Sequence, residues 1–101
     1  MGEYPTDEEL KRIREWDYKD GFEGLAELIL SIWHWPDYAE LKDWKTDEFR
    51  NEYREFRLAT GGWSGNEDII SAMSQNTLFW MLCWESSRRG GLYIFRIPKV
   101  E

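Results

Sequence analysis

The chain has 101 residues, enough for one modest hydrophobic core, and carries a net charge of −7. That balance disfavours a grip on extended nucleic acid, which needs a basic face to release counterions. The lone Cys83 excludes an intrachain disulfide or a cysteine-based metal site.

The acidity is uneven. Residues 1–60 hold 16 acidic and 9 basic side chains, and residues 61–101 hold 4 of each. An acidic first part permits a surface that imitates nucleic acid and occupies a basic groove on another protein. Aromatic residues make up 17% of the chain, with tryptophan at 16, 33, 35, 44, 63, 80 and 84. Each ring can bury about 150–250 Å², so some are expected at the surface, at an interface or a stacking site. The polar, acidic start does not read as a signal peptide. The longest apolar run, Leu78 to Trp84, is far shorter than the ~20 residues that cross a bilayer. A soluble, cytoplasmic protein is expected.

In chain order, Thr6 with Glu9 forms a capping box, and Leu10, Ile13 and Trp16 follow at helical spacing, which predicts a helix over about 7–16. Asp20 with Glu23 starts a second helix over about 21–34, striped by Leu25, Leu28, Ile29, Ile32 and Trp33. It stops because Trp35 precedes Pro36. Residues 37–50 read as polar and irregular, with short helical possibilities around 37–43 and 47–51. Phe49, Tyr53, Phe56 and Thr60 fit a helix, yet Phe56 to Thr60 alternate like a strand. The strand is favoured over 54–60, because Leu92-Tyr93-Ile94-Phe95-Arg96-Ile97 is β in composition and needs a neighbour. A second subunit's copy of that same strand is the other possible neighbour. Pro98 ends the strand or marks an edge.

Between the two lies Thr60-Gly61-Gly62-Trp63-Ser64-Gly65-Asn66-Glu67, followed by a long apolar run to Ser87-Arg88-Arg89-Gly90-Gly91. Ser64 with Glu67 reads as another capping box, Gly90 as a helix-ending glycine, and Arg88 and Arg89 as cations in the last turn. The expectation is one helix from about 65 to 89. At that length the glycine loop and the arginines sit at opposite ends, about 36 Å apart, and meet only across an antiparallel dimer. Its middle is apolar nearly all round, which predicts self-association.

Chemistry is sparse. Ser31, His34 and Asp37 recur at steps of three, but Pro36 interrupts the spacing and no nucleophile elbow accompanies Ser31. His34 reads better as a half-buried ring at a helix end. The paired carboxylates (Asp7, Glu8, Glu9; Asp47, Glu48) occupy helix starts, where they complement the dipole. No catalytic residue, metal ligand or cofactor is therefore assigned. The ligand candidates are Gly61, Gly62, Trp63, Ser64, Asn66 and Glu67, where backbone N–H groups face an anion and an indole can stack, together with Arg88 and Arg89 as phosphate-type donors. Set against this is a plain turn with Trp63 packed beneath it.

The string from Thr60 to Glu67, with Leu78-Phe79-Trp80, Ser87-Arg88-Arg89-Gly90-Gly91 and an aromatic strand, resembles a group of small acidic proteins encoded by tailed phages and prophages. The likeness covers roughly residues 53–97. It departs at Leu92, where many relatives carry a histidine. The resemblance implies a phage origin and action in the host cytoplasm, and supplies no activity.

Together these features predict an α+β fold in a single domain over 1–101. An acidic helical region (1–51) precedes a strand–helix–strand region (52–98), whose two short strands form a small antiparallel or dimer sheet. The expected role is that of a non-enzymatic binding protein of a phage, taking a small anionic or nucleotide-like ligand in counter-defence. The alternative is an acidic nucleic-acid mimic that inhibits a host protein. A homodimer is expected, with no direct nucleic-acid or membrane partner.

Overall fold

The computed structural model describes residues 4–99, so the extreme ends of the expected 1–101 domain lie outside the described residues. The class is α+β. Helix α1 spans Asp7–Arg14, α2 Phe22–Ile32, α3 Ser64–Gln75 and α4 Thr77–Cys83; single 3-10 turns occupy Tyr18–Asp20 and Pro36–Tyr38. Strands β1 (Ala39–Thr46), β2 (Glu52–Ala59), β3 (Trp84–Arg88) and β4 (Leu92–Pro98) form an antiparallel sheet in the order β1-β2-β4-β3.

One face of the sheet is dry. Phe56, Leu58, Phe95 and Ile97 alternate inward and join Phe22, Leu25 and Ile29 of α2, Ile69 and Met73 of α3, and Phe79 of α4 in one buried cluster. Phe79 holds the centre, edge-on to Phe22 at 5.1 Å and tilted on Phe95 at 5.5 Å. The opposite face buries Ile94 but is otherwise laced with opposite charges: Glu55 lies between Lys42 and Arg57, and Arg96 reaches Glu85. In β2 the inward Phe56 and Leu58 alternate with the outward Glu55 and Arg57, as a sheet covered on a single face requires.

The capping box at Thr6 is present, with both reciprocal hydrogen bonds to Glu9 made. Strand pairing of 52–59 with 92–98 is also present, Phe56 standing opposite Phe95. Pro98 closes β4 as its last residue.

Four expectations are corrected. The helix expected over 65–89 is two short helices and a strand. Asn76 breaks it (φ −83°, ψ 87°), its carboxamide donating to Ile13 O and Trp16 O while its Oδ1 accepts from the Phe79 amide and so caps α4. Asparagine competes well with the helical ladder for backbone partners, which is why the run divides there. Residues 84–88 then extend as β3, so Arg88 is a strand residue and Arg89 a turn residue, and Gly90 and Gly91 form a hairpin turn at φ +85° and +83°.

Second, Ser64 is the first residue of α3 rather than its cap. Trp63 occupies the cap position without a side-chain bond, and the Ser64 hydroxyl is paired with Tyr4 Oη at 2.9 Å. Third, Asp20 does not cap α2. It lies in a 3-10 turn, and Gly21 at φ +80° precedes the helix. Fourth, residues 39–46, read as irregular, are an edge strand, so the acidic region is not purely helical. A register shift between Leu41 and Trp44 breaks the apolar–polar alternation that would have revealed it. Of the two pairings left open for 92–98, the intrachain sheet is the one present, since β4 has β2 on one side and β3 on the other.

Candidate functional site

Splitting the long helix changes which residues are neighbours. The chain leaves β2 at Ala59 and enters β4 at Leu92, and these two are paired. The two glycine turns therefore lie side by side at one end of the sheet, where the Thr60 amide donates to Gly91 O at 3.0 Å. A Cβ on Gly91 would collide with Thr60 Oγ1, so the approach needs glycine. Arg88, opposite Leu92 in the register, and Arg89 belong to the same end. The separation expected from a single long helix is thus overturned.

Thr60 is the hub of this end. It is 2% exposed; its Oγ1 accepts from the Gly62 amide, and its carbonyl accepts from the Trp63 amide and from Asn66 Nδ2. Asn66 is fully buried and spends its carboxamide on backbone: Oδ1 accepts from His34 N–H and Nδ2 donates to His34 O, each at 3.0 Å. This clamp fixes the segment after α2 against the start of α3.

Above the clamp the aromatic rings form a continuous shelf. Tyr4 stacks on Trp63 at 4.9 Å, while Trp63 and His34 (4.3 Å), His34 and Trp35 (4.4 Å), and Trp35 and Tyr38 (5.5 Å) meet tilted at 30°, 52° and 52°. Trp35 is 42% exposed and Tyr38 48%. Trp35 also holds a left-handed backbone (φ +62°), a conformation that costs a bulky residue energy and clusters at functional sites. Its ring lies over Gly61, where an added Cβ would come within 2.6 Å of it; any side chain there would lift the indole. Beside the shelf is a depression of about 230 Å³ lined by Asp37, Tyr38, Glu40, Arg57, Ala59 and Leu92.

Of the expected ligand residues, Trp63 is part of the shelf, Gly61 lies under Trp35, Ser64 pairs with Tyr4, and Gly62 stands in the turn with open space beside it. Glu67 is exposed on the first turn of α3, and Asn66 is a buried support. Arg88 and Arg89 are exposed, and among the described residues neither has an ion-pair partner. Residues missed from the sequence are Tyr4, His34, Trp35, Tyr38 and Thr60. The Trp33-His34-Trp35 triplet was the available signal, but no local rule brings it to a glycine loop nearly thirty residues away. Ser31 donates to Leu28 O at 2.6 Å within its own helix, while the His34 ring is taken up by two indoles.

In comparisons with known proteins the chain matches no family model, no curated protein and no solved structure. Among the described residues, no helix is long and apolar enough to cross a membrane.

Proposed function

We propose that the protein is a non-enzymatic binding protein that holds a small planar anionic ligand, nucleotide-like in chemistry, on the Trp35–Tyr38 end of the aromatic shelf. The observation that carries this reading is the exposed, backbone-strained Trp35 laid on Gly61 and, through Tyr38, next to the depression that Ala59 and Leu92 help to line. A planar ring stacks on an indole with about 1–3 kcal/mol per base. Asp37 and Glu40 offer acceptors for ring amino groups, and Arg57, Arg88 and Arg89 offer donors for an anion. A phage origin would make such capture a means of withdrawing a signal nucleotide from host defence in the cytoplasm.

The nucleic-acid-mimic reading has less support. Several acids of the first part are neutralised locally: Glu23 by Arg54, Glu52 by Lys99, and Glu55 by Lys42 and Arg57.

The test is native mass spectrometry of protein purified from a bacterial host without denaturation, followed by fluorescence titration with nucleoside monophosphates. Trp35→Gly removes the ring and keeps the left-handed backbone accessible. It should melt within a few degrees of the parent and lose both the released mass and the quench. A parent that carries no adduct and shows no quench with any nucleotide at millimolar concentration would falsify the reading.

A further inference from the structure

We infer that a second copy of this chain docks along β3 and α4, about a two-fold axis perpendicular to the sheet, joining two sheets edge to edge.

The two edges of the sheet differ. Both edges carry a register shift, β1 between Leu41 and Trp44 and β3 between Trp84 and Ser86, but β1 also carries Lys42, Asp43 and Lys45, charges that discourage strand addition. The regular part of β3 is Ser86-Ser87-Arg88, with small hydroxyl side chains and no lysine or proline, and as an edge strand it leaves one row of backbone N–H and C=O groups unpaired by the sheet.

Next to that edge is an exposed apolar surface. α4 buries Phe79 and Cys83, but Leu78, Met81 and Leu82 face outward at 47, 74 and 51% exposure, and Trp84, stacked on Trp80 at 6.4 Å, is 43% exposed. Leu78, Met81 and Leu82 share one side of the helix at i, i+3 and i+4. A contiguous apolar surface of this kind marks a contact site.

The occupant is set by charge. An antiparallel copy of β3 brings Glu85 of one protomer beside the Arg88–Arg89 end of its partner, and symmetry makes the contact twice. Glu85, the strand's only acid, is half-exposed and meets Arg96 of its own sheet through Oε1 alone at 3.6 Å, and Arg88 and Arg89, without ion pairs among the described residues, follow it at the far end. A two-fold perpendicular to the sheet keeps both helical layers on one side, so the two α4 faces meet above the joined edges. The second carboxylate oxygen of Glu85 can accept from one of these arginines while Oε1 keeps Arg96. This inference stands on the β3 edge and α4 and shares only Arg88 and Arg89 with the ligand reading, so Met81→Lys tests it apart from that reading.

Sedimentation equilibrium of the full chain over micromolar to millimolar concentration tests it. The parent should shift from monomer towards twice its mass. Met81→Lys, at an exposed position, should weaken association at least tenfold with an unchanged melting temperature. Glu85→Lys should do the same, and mixing it with the Arg88→Glu/Arg89→Glu variant should restore a heterodimer. A parent that stays monomeric throughout, or a dimer that both Met81→Lys and Glu85→Lys leave intact, overturns the proposal.

Discussion

Asn66 shows what a buried polar side chain does when every bond is made. It ties His34 N–H, His34 O and Thr60 O together, its own side chain fully buried and the His34 groups part-buried. Asn66→Ala strands those groups, and a buried unsatisfied donor or acceptor costs ~1–3 kcal/mol. A loss of about 2–4 kcal/mol is expected, seen as a lower urea midpoint at constant slope. Cys83 is the opposite case, an apolar neighbour rather than a tether. It is 1% exposed, and burial pushes its thiol up to about 12 from an ordinary 9.0. The native protein should resist iodoacetamide at neutral pH and react once unfolded. Because the folded pKa lies above the unfolded one, the thiol's contribution to stability is whole below about pH 9 and declines as pH rises towards 12. At this scale the sequence was half legible. Thr6 and Glu9 are three apart and cap as expected. Ser64 and Glu67 share that spacing, but the Thr60-centred turn carries the helix start one residue further back, to Trp63.

At the level of the element, the glycine turns separate two effects that a substitution normally mixes. Gly62 stands at φ +78° with open space where a Cβ would go, so Gly62→Ala pays only for the backbone, about 1 kcal/mol. Gly61→Ala adds a clash with Trp35 and Tyr38 and should also shift tryptophan emission as the indole is displaced. Melting curves and emission spectra of the pair distinguish the two. The β1–β2 turn has its own device. The amides of Asn51 and Phe49 donate to Asp47, and these bonds, that from Asn51 first, hold its carboxyl below the ordinary 3.8. A depressed carboxyl stabilises the turn above its unfolded pKa and releases it as pH falls through the folded value. The Phe49 and Asn51 amides should therefore lose exchange protection in acid, and Asp47→Ala should lose it at neutral pH. The helix break at Asn76 was the hardest feature to read. Apolar residues run through it on both sides at helical spacing, and its reason lies in Ile13 and Trp16, some sixty residues earlier.

For the whole molecule, the α+β class and the β2–β4 pairing were readable because alternation and β-branched or aromatic composition are local signals. The shelf was not. It needs Tyr4, the residues after α2 and the glycine loop in one place, and only the tertiary clamp at Asn66 and Thr60 supplies that. The placement of Arg88 and Arg89 beside the loop follows from the same long-range pairing, because a chain that folds back as β3–β4 returns its glycine turn to the end of β2.

That return has a kinetic meaning. β1–β2 and β3–β4 are hairpins closed by short turns, whereas the central β2–β4 pair can form only after the chain from Thr60 to Gly91, with two helices inside it, has closed on itself. Loop-closure entropy places this step late and makes it the slow one. Mutations at Phe56 and Phe95, which face each other across the seam, should slow refolding nearly in proportion to the stability they remove. Changes within the outer hairpins should chiefly quicken unfolding, so the Thr60–Gly91 hydrogen bond at the end of the seam reports whether the two halves of the sheet have joined.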